Sequence, residues 1–168
     1  MFLIGLPNMI EPENINYIDR EIMEKMCHPI AVALYDSQVE PMTKFDEHEI
    51  ALLESALNNP KQPYYSTFLK KAAILYYGLI KNHPFRNGNK RTATASFLVF
   101  LFINNFWLRG PQEEIEDYLV NLAKRVATSE GANKKDLFLL EIEGWLNKHI
   151  QALDYIINDR KNNNAPNP

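Results

Sequence analysis

At 168 residues the chain is the size of a single domain, and its 46% apolar content is enough to fill a core. A net charge of -3 and a pI of about 5.8 carry no electrostatic footprint for nucleic acid, so any attraction for phosphate has to be local. The one cysteine, Cys27, excludes an intrachain disulfide framework and suits a reducing compartment; no apolar run is long enough to span a bilayer, and the opening lacks a secretory pattern. A cytoplasmic protein with neither nucleic acid nor membrane as partner is expected, and no internal repeat or long linker divides the chain.

In chain order, residues 1–10 are mildly apolar, contain Gly5 and Pro7, and read as an irregular arm lying along the body. Residues 13–26 carry Ile15, Ile18, Ile22, Met23 and Met26 at helical spacing behind Pro12, which suits a helix start. His28-Pro29 reads as a helix boundary, residues 30–35 as a short helix or strand, and residues 36–44, with Pro41, as a loop. A helix is predicted over 46–58, with Asp46 capping, Glu49 as its capping-box partner, and Ile50, Leu53, Ala56 and Leu57 inward. Asn58-Asn59-Pro60 ends it. Residues 61–67 read as a turn holding two partly buried tyrosines, Tyr64 and Tyr65.

The next helix has Leu69, Ala72, Ala73, Tyr76, Leu79 and Ile80 on one stripe, and Lys70, Lys71 and Lys81 largely off it. It should end at about His83, because a proline disfavours helical geometry in the residue before it. Residues 92–103 are apolar or small on every side, the pattern of a helix buried all round, and Asn104 and Asn105 close it. After the break at Arg109-Gly110-Pro111, residues 113–126 form an amphipathic helix with Ile115, Leu119, Leu122 and Val126 inward. Glu113, Glu114 and Glu116 complement its dipole. A loop with Gly131 leads to 135–157, one long helix interrupted near Gly144 or two in sequence. Residues 161–168 should be disordered. The fold expected is all-α.

The chemistry concentrates in residues 83–92, a polar loop between two apolar helices. Gly88 and Asn89 stand where the second helix begins, Gly permitting unusual backbone angles and Asn being a favoured cap. The first N–H groups of that helix lack intrahelical partners and point outward at the positive end of its dipole, with Lys90 and Arg91 beside them. Such an end binds anions, phosphate above all. His83 at the other lip is a side chain able to accept a proton near neutral pH. A base beside an anion cradle is the minimum needed to move a phosphate-containing group onto a hydroxyl.

His-Pro-Phe-x-x-Gly-Asn-Lys-Arg-Thr-Ala, from His83 to Ala93, resembles the signature of the Fic/Doc family, and Lys90 is similar to its Doc (death-on-curing toxin) branch. Residues 53–60 resemble the segment that precedes the family's substrate-binding flap. The resemblance covers about residues 40–150. It implies a single Fic/Doc domain over 41–160, with 1–40 an extension packed on it and 161–168 a tail. It also implies roles: His83 the general base, Phe85 the anchor of the loop, Gly88, Asn89, Lys90 and Arg91 the nucleotide-phosphate site, Arg91 also catalytic. Lys61, Gln62, Pro63, Tyr64 and Tyr65 would form the flap that holds a protein target by main-chain pairing. Position 87 in the family is an acidic Mg²⁺ ligand; here it is Asn87, which offers only a neutral carbonyl oxygen, and the resemblance implies that it still helps to hold Mg²⁺ beside ATP with reduced affinity.

By the same resemblance, a Lys at position 90 implies transfer of the terminal phosphate of ATP to a protein hydroxyl, with a translation factor as the target. The alternatives are transfer of AMP, and a nucleotide- or antitoxin-binding scaffold with little turnover. Glu143-Gly144 resembles the end of the family's inhibitory motif, but Leu139 stands where that motif needs a hydroxyl. Restraint is then expected from a separate antitoxin. His48 and His149 read as surface or partly buried residues rather than metal ligands, and Trp107 and Trp145 as core fillers.

Overall fold

The structure, a computed structural model, describes residues 11–35 and 40–154. The arm expected at 1–10 and the tail at 161–168 lie outside the described residues. The chain is mostly helical, as the sequence predicts. It begins with α1 (Arg20–Ile22), a π turn (Met23–Cys27) and α2 (His28–Tyr35), which form one continuous run. The run starts later than the periodicity suggests, at Asp19, whose carboxylate accepts the Ile22 N–H at 2.8 Å. Residues 13–19 are drawn out of helix by a distant partner. Asn104 takes the Asn16 N–H at 2.7 Å and donates to the Asn16 carbonyl at 2.9 Å. Nor is His28-Pro29 a boundary. The π turn lets the His28 N–H reach the carbonyl of Met23, five residues back, and this shift in hydrogen-bond register just before Pro29 lets the helical run continue past a residue that has no N–H.

A 3₁₀ turn (Phe45–Glu47) precedes α3 (Ile50–Asn58). The expected capping box is absent: Asp46 is exposed in the 3₁₀ turn, and Glu49 takes the cap position without a side-chain bond. The Glu49 N–H donates instead to the Pro84 carbonyl at 2.8 Å, tying the start of α3 to the 83–92 loop. A second 3₁₀ turn (Asn59–Lys61) closes α3 as predicted.

Helix α4 (Phe68–Asn82) is the central pillar, packed against α3, α5, α6 and α7. Its first turn is satisfied twice, by the Thr67 hydroxyl on the Lys70 N–H (3.2 Å) and the Glu11 carboxylate on the Phe68 N–H (3.0 Å). Tyr76, Phe68, Leu75 and Leu79 meet Phe97, Phe100 and Leu101 of α5 (Asn89–Ile103) in the core. Each fully buried side chain of this size is worth about 1.5–3 kcal/mol. Tyr76 spends its hydroxyl on the Leu119 carbonyl at 2.8 Å, and Lys71, buried despite its charge, donates to the Pro60 carbonyl at 2.8 Å.

Strand β1 (Phe106–Leu108), α6 (Gln112–Thr128), α7 (Lys134–His149) and β2 (Ile150–Ala152) complete the described chain. The strands pair antiparallel with Trp107 opposite Gln151. Three-residue strands carry no readable periodicity, which is why the sequence shows only helix here. Helix α7 runs through Gly144 without a break and stops at His149, because the ladder with β1 claims the next three residues. Arg125 forks onto Glu141 between α6 and α7, and its hydrogen bonds, against the opposing effect of partial burial and with a smaller help from its charge, hold that carboxyl below its usual range. A lowered carboxylate adds stability above its unfolded pKa and loses it as pH falls through the folded one. Exposed as both side chains are, the pair contributes under about 1 kcal/mol.

Cys27 is fully buried in the π turn, and burial pushes its thiol up to about 12, against a smaller opposing effect of Ser96. Little thiolate exists at neutral pH and reagent has no access. Native protein at pH 8 should therefore react with a disulfide reagent such as DTNB only in step with unfolding. Full labelling within minutes under native conditions would contradict this packing.

Candidate functional site

The two helices of the motif stop and start where local rules place them. Helix α4 ends at His83, which adopts the left-handed conformation (φ 55°, ψ 52°) and stands exposed, while Pro84 behind it is buried. Phe85 is 1% exposed and points into a ring cluster of His28, Phe45 and His48, with centroids 5.4–6.1 Å away. Gly88 (φ 95°) is the cap of α5, its carbonyl accepting the Thr92 N–H at 2.8 Å.

Asn89 is not the cap that its residue type suggests. Its buried amide turns back into the loop, accepting the Phe85 N–H at 2.9 Å and donating to the Phe85 carbonyl at 2.6 Å. That two-sided clamp fixes the spacing between His83 and the helix tip. The Asn89 contribution to an anion site is therefore its main chain, with the N–H groups of Lys90 and Arg91.

His83, Asn87, Gly88, Asn89, Lys90 and Arg91 all line one cleft of about 1400 Å³. Its far wall is Trp107, Arg109 and the α6 face of Gln112, Glu116 and Lys124. Lys90 is exposed at its floor. Arg91 is half-buried and donates to the Glu40 carbonyl at 2.8 Å and to Asn87 Oδ1 at 3.3 Å. An imidazole and an electropositive helix tip thus share one opening, without the imidazole turning inward. A cleft so built suits abstraction of a proton beside a bound polyanion.

The five residues expected to form a flap are not brought to this cleft. Lys61, Gln62, Pro63, Tyr64 and Tyr65 lead into the N-terminal end of α4, and its fifteen residues put them roughly 20 Å from His83, at the other end of the helix. Tyr65 is buried beneath Lys135, Tyr64 is exposed, and none of the five lines the cleft. The segment that does border the loop is 40–43, part of the loop predicted over 36–44. Thr43 exchanges bonds with Asn87 (Asn87 N–H to Thr43 Oγ1, 2.8 Å; Thr43 N–H to the Asn87 carbonyl, 3.3 Å), and Met42 covers Gly88.

His28 and His48 also have a role that the sequence does not announce. His28 Nε2 bonds the Thr43 carbonyl at 2.8 Å and His48 Nδ1 the Phe45 carbonyl, so both buried rings hold the segment that borders the motif. His28 stands 15 residues before Thr43 and His48 five after it, so the sequence around either gives no local signal of this. Trp107 is at the cleft wall and 36% exposed, not a core filler. Trp145 is half-buried, stacked on Tyr118 at 4.2 Å and His149 at 4.6 Å. Glu143 does not line the cleft; burial raises its pKa, and its charged neighbour is Lys70 near the start of α4.

Position 87 does not fit a metal. Asn87 is uncharged, and its Oδ1 already accepts from the Gly88 N–H at 2.8 Å and from Arg91. The Arg91 guanidinium that bonds it brings positive charge to the same oxygen. Among the described residues, no group of three His, Cys, Asp or Glu side chains is placed to hold a metal ion. No helix among them is long and apolar enough to cross a membrane.

The fold and the cleft define a mostly helical domain in which a helix–loop–helix turn sets an exposed imidazole and the N-terminus of a helix on one opening. A sequence profile described as the Fic/DOC family matches residues 10–101, more than half of the chain, and the chain belongs to that family. The match takes in α1 and α2 as well as the motif. No curated protein and no solved structure matches the chain. Family membership implies a protein-modifying transferase of the Fic type, a family that uses ATP as substrate.

Proposed function

We propose that the protein transfers the terminal phosphate of ATP to a Ser, Thr or Tyr hydroxyl of a protein target, in the manner of a Doc toxin. The observation that carries this is Lys90: an exposed ammonium at the first turn of α5, on the cleft floor that His83 also lines. In the branch that moves AMP, a glycine at this position leaves room for the α- and β-phosphates. A lysine fills that room and favours the opposite orientation of ATP, with the γ-phosphate toward the base.

His83 takes the proton from the target hydroxyl as its oxygen attacks the γ-phosphorus. The bond from that phosphorus to the β–γ bridging oxygen breaks, and ADP leaves with the electron pair. Lys90, Arg91 and the first N–H groups of α5 offset the charge on the moving group, in line with the reliance of such transfers on positioning and electrostatics. Because position 87 does not fit a metal, no step is assigned to Mg²⁺. The target chain is placed along the 40–43 edge of the cleft, which adjoins the loop, rather than along 61–65. A translation factor as target, a separate antitoxin as restraint and a cytoplasmic setting belong to the same reading.

Purified protein given ATP labelled at the γ- or the α-phosphate, with a cell lysate as target, tests this. Protein should take up γ label alone. Uptake of α label alone would mean AMP transfer with loss of pyrophosphate. Uptake of neither, with ATP still bound, would favour the scaffold reading, which the fully engaged Asn87 amide also supports.

A further inference from the structure

Asn87 departs from the acidic residue expected at its position, and the structure shows what the amide does there. An asparagine side chain has one oxygen with two lone pairs and two N–H donors. Both lone pairs are taken, by the Gly88 N–H (2.8 Å) and by Arg91 (3.3 Å), and Nδ2 donates to the Pro41 carbonyl at 2.8 Å. The reverse orientation of the amide would set donor against the Gly88 N–H and oxygen against the Pro41 carbonyl, so this network fixes which end is which. Asn87's main chain adds two more bonds, both to Thr43. Arg91, one turn on, donates to the Glu40 carbonyl. Glu40 and Pro41 themselves line the cleft.

Only an amide completes this set. A carboxylate of the same shape keeps the bonds from Gly88 and Arg91 but turns an oxygen toward the Pro41 carbonyl oxygen, replacing an attraction by a repulsion. The change that removes a metal ligand is thus the change that allows residues 40–43 to be fastened to the motif loop. We propose that Asn87 is a positioning residue, the latch that holds residues 40–43 at the mouth of the cleft, and that the chain binds its nucleotide without a divalent metal held at position 87. The metal half of this inference rests on the ATP-binding reading above; the latch half stands on the hydrogen bonds alone.

Two measurements on the full chain test it, neither of them a rate of transfer. In hydrogen exchange, Asn87→Asp and Asn87→Ala should each speed exchange of the Thr43 amide by about tenfold, since the segment loses its side-chain tie. In calorimetric titration, ATP should bind the unaltered protein with EDTA or with Mg²⁺ at affinities within about threefold of each other, whereas Asn87→Asp should gain about tenfold from Mg²⁺. Should the Asn87 variants fail to fold, Thr43→Val opens the latch from the other side and carries the same expectation for exchange at the Asn87 amide. Unchanged exchange in these variants overturns the latch. A tenfold or greater loss of ATP affinity in EDTA by the unaltered protein overturns the metal half. Absence of ATP binding in either condition sinks the functional reading and with it the metal half, while the exchange result still decides the latch.

Discussion

His83→Gly should abolish transfer while leaving the protein as stable as before or slightly more so. Removing a positioned general base lowers the rate by about 10²–10⁴-fold. Stability should move the other way, because His83 sits at φ 55°. A non-glycine residue there carries roughly 1–2 kcal/mol of strain, which glycine relieves, less about 0.5–1 kcal/mol for the extra freedom of the unfolded chain. The thermal midpoint should then hold or rise by up to about 3 °C. His83 is exposed, so no core contact is given up. His83→Asn is the companion, since asparagine tolerates the same backbone without supplying a base. A midpoint lowered by more than about 5 °C would show that the ring serves the fold, and retained labelling by the variant would remove it from the chemistry.

Asn89→Ala should be the most damaging single change in the motif that touches no ligand through its side chain. It strips partners from both the N–H and the carbonyl of Phe85, in a spot where Asn89 is 5% and Phe85 1% exposed. Each buried group left unpaired costs about 1–3 kcal/mol, so a loss of about 3 kcal/mol and roughly 10 °C in thermal midpoint is expected. Because the clamp sets the distance from base to helix tip, nucleotide binding should weaken even where the variant is still folded. Denaturant unfolding and ATP titration at low temperature separate the two effects. A variant with native stability would mean that the loop is held by Phe85 packing alone.

The helices bearing the site were legible because their causes are local. The α4 stripe, the block at Pro84 and the helix start at Gly88 and Asn89 each depend on residues within a turn or two, and the cleft follows from two such helix ends facing one loop. What was misplaced depended on partners far along the chain. Asn16 and Asn104, 88 residues apart, pull residues 13–19 out of a helix that their periodicity favours. The π turn that admits Pro29 has no signature in residue type, and strands of three residues are too short to show one.

The sequence by itself determined the family, the all-helical class, and the pairing of His83 with a basic helix start, since spacing along the chain suffices to put those groups across one short loop. Only the tertiary structure decided which asparagine clamps and which one latches, and that 40–43 rather than 61–65 lies beside the motif. An amide bonds equally well to any carbonyl or N–H brought within 3 Å. Its type therefore says that it will find partners; those of Asn89 lie four residues back along the loop, and those of Asn87 are brought up by packing across more than 40 residues of chain.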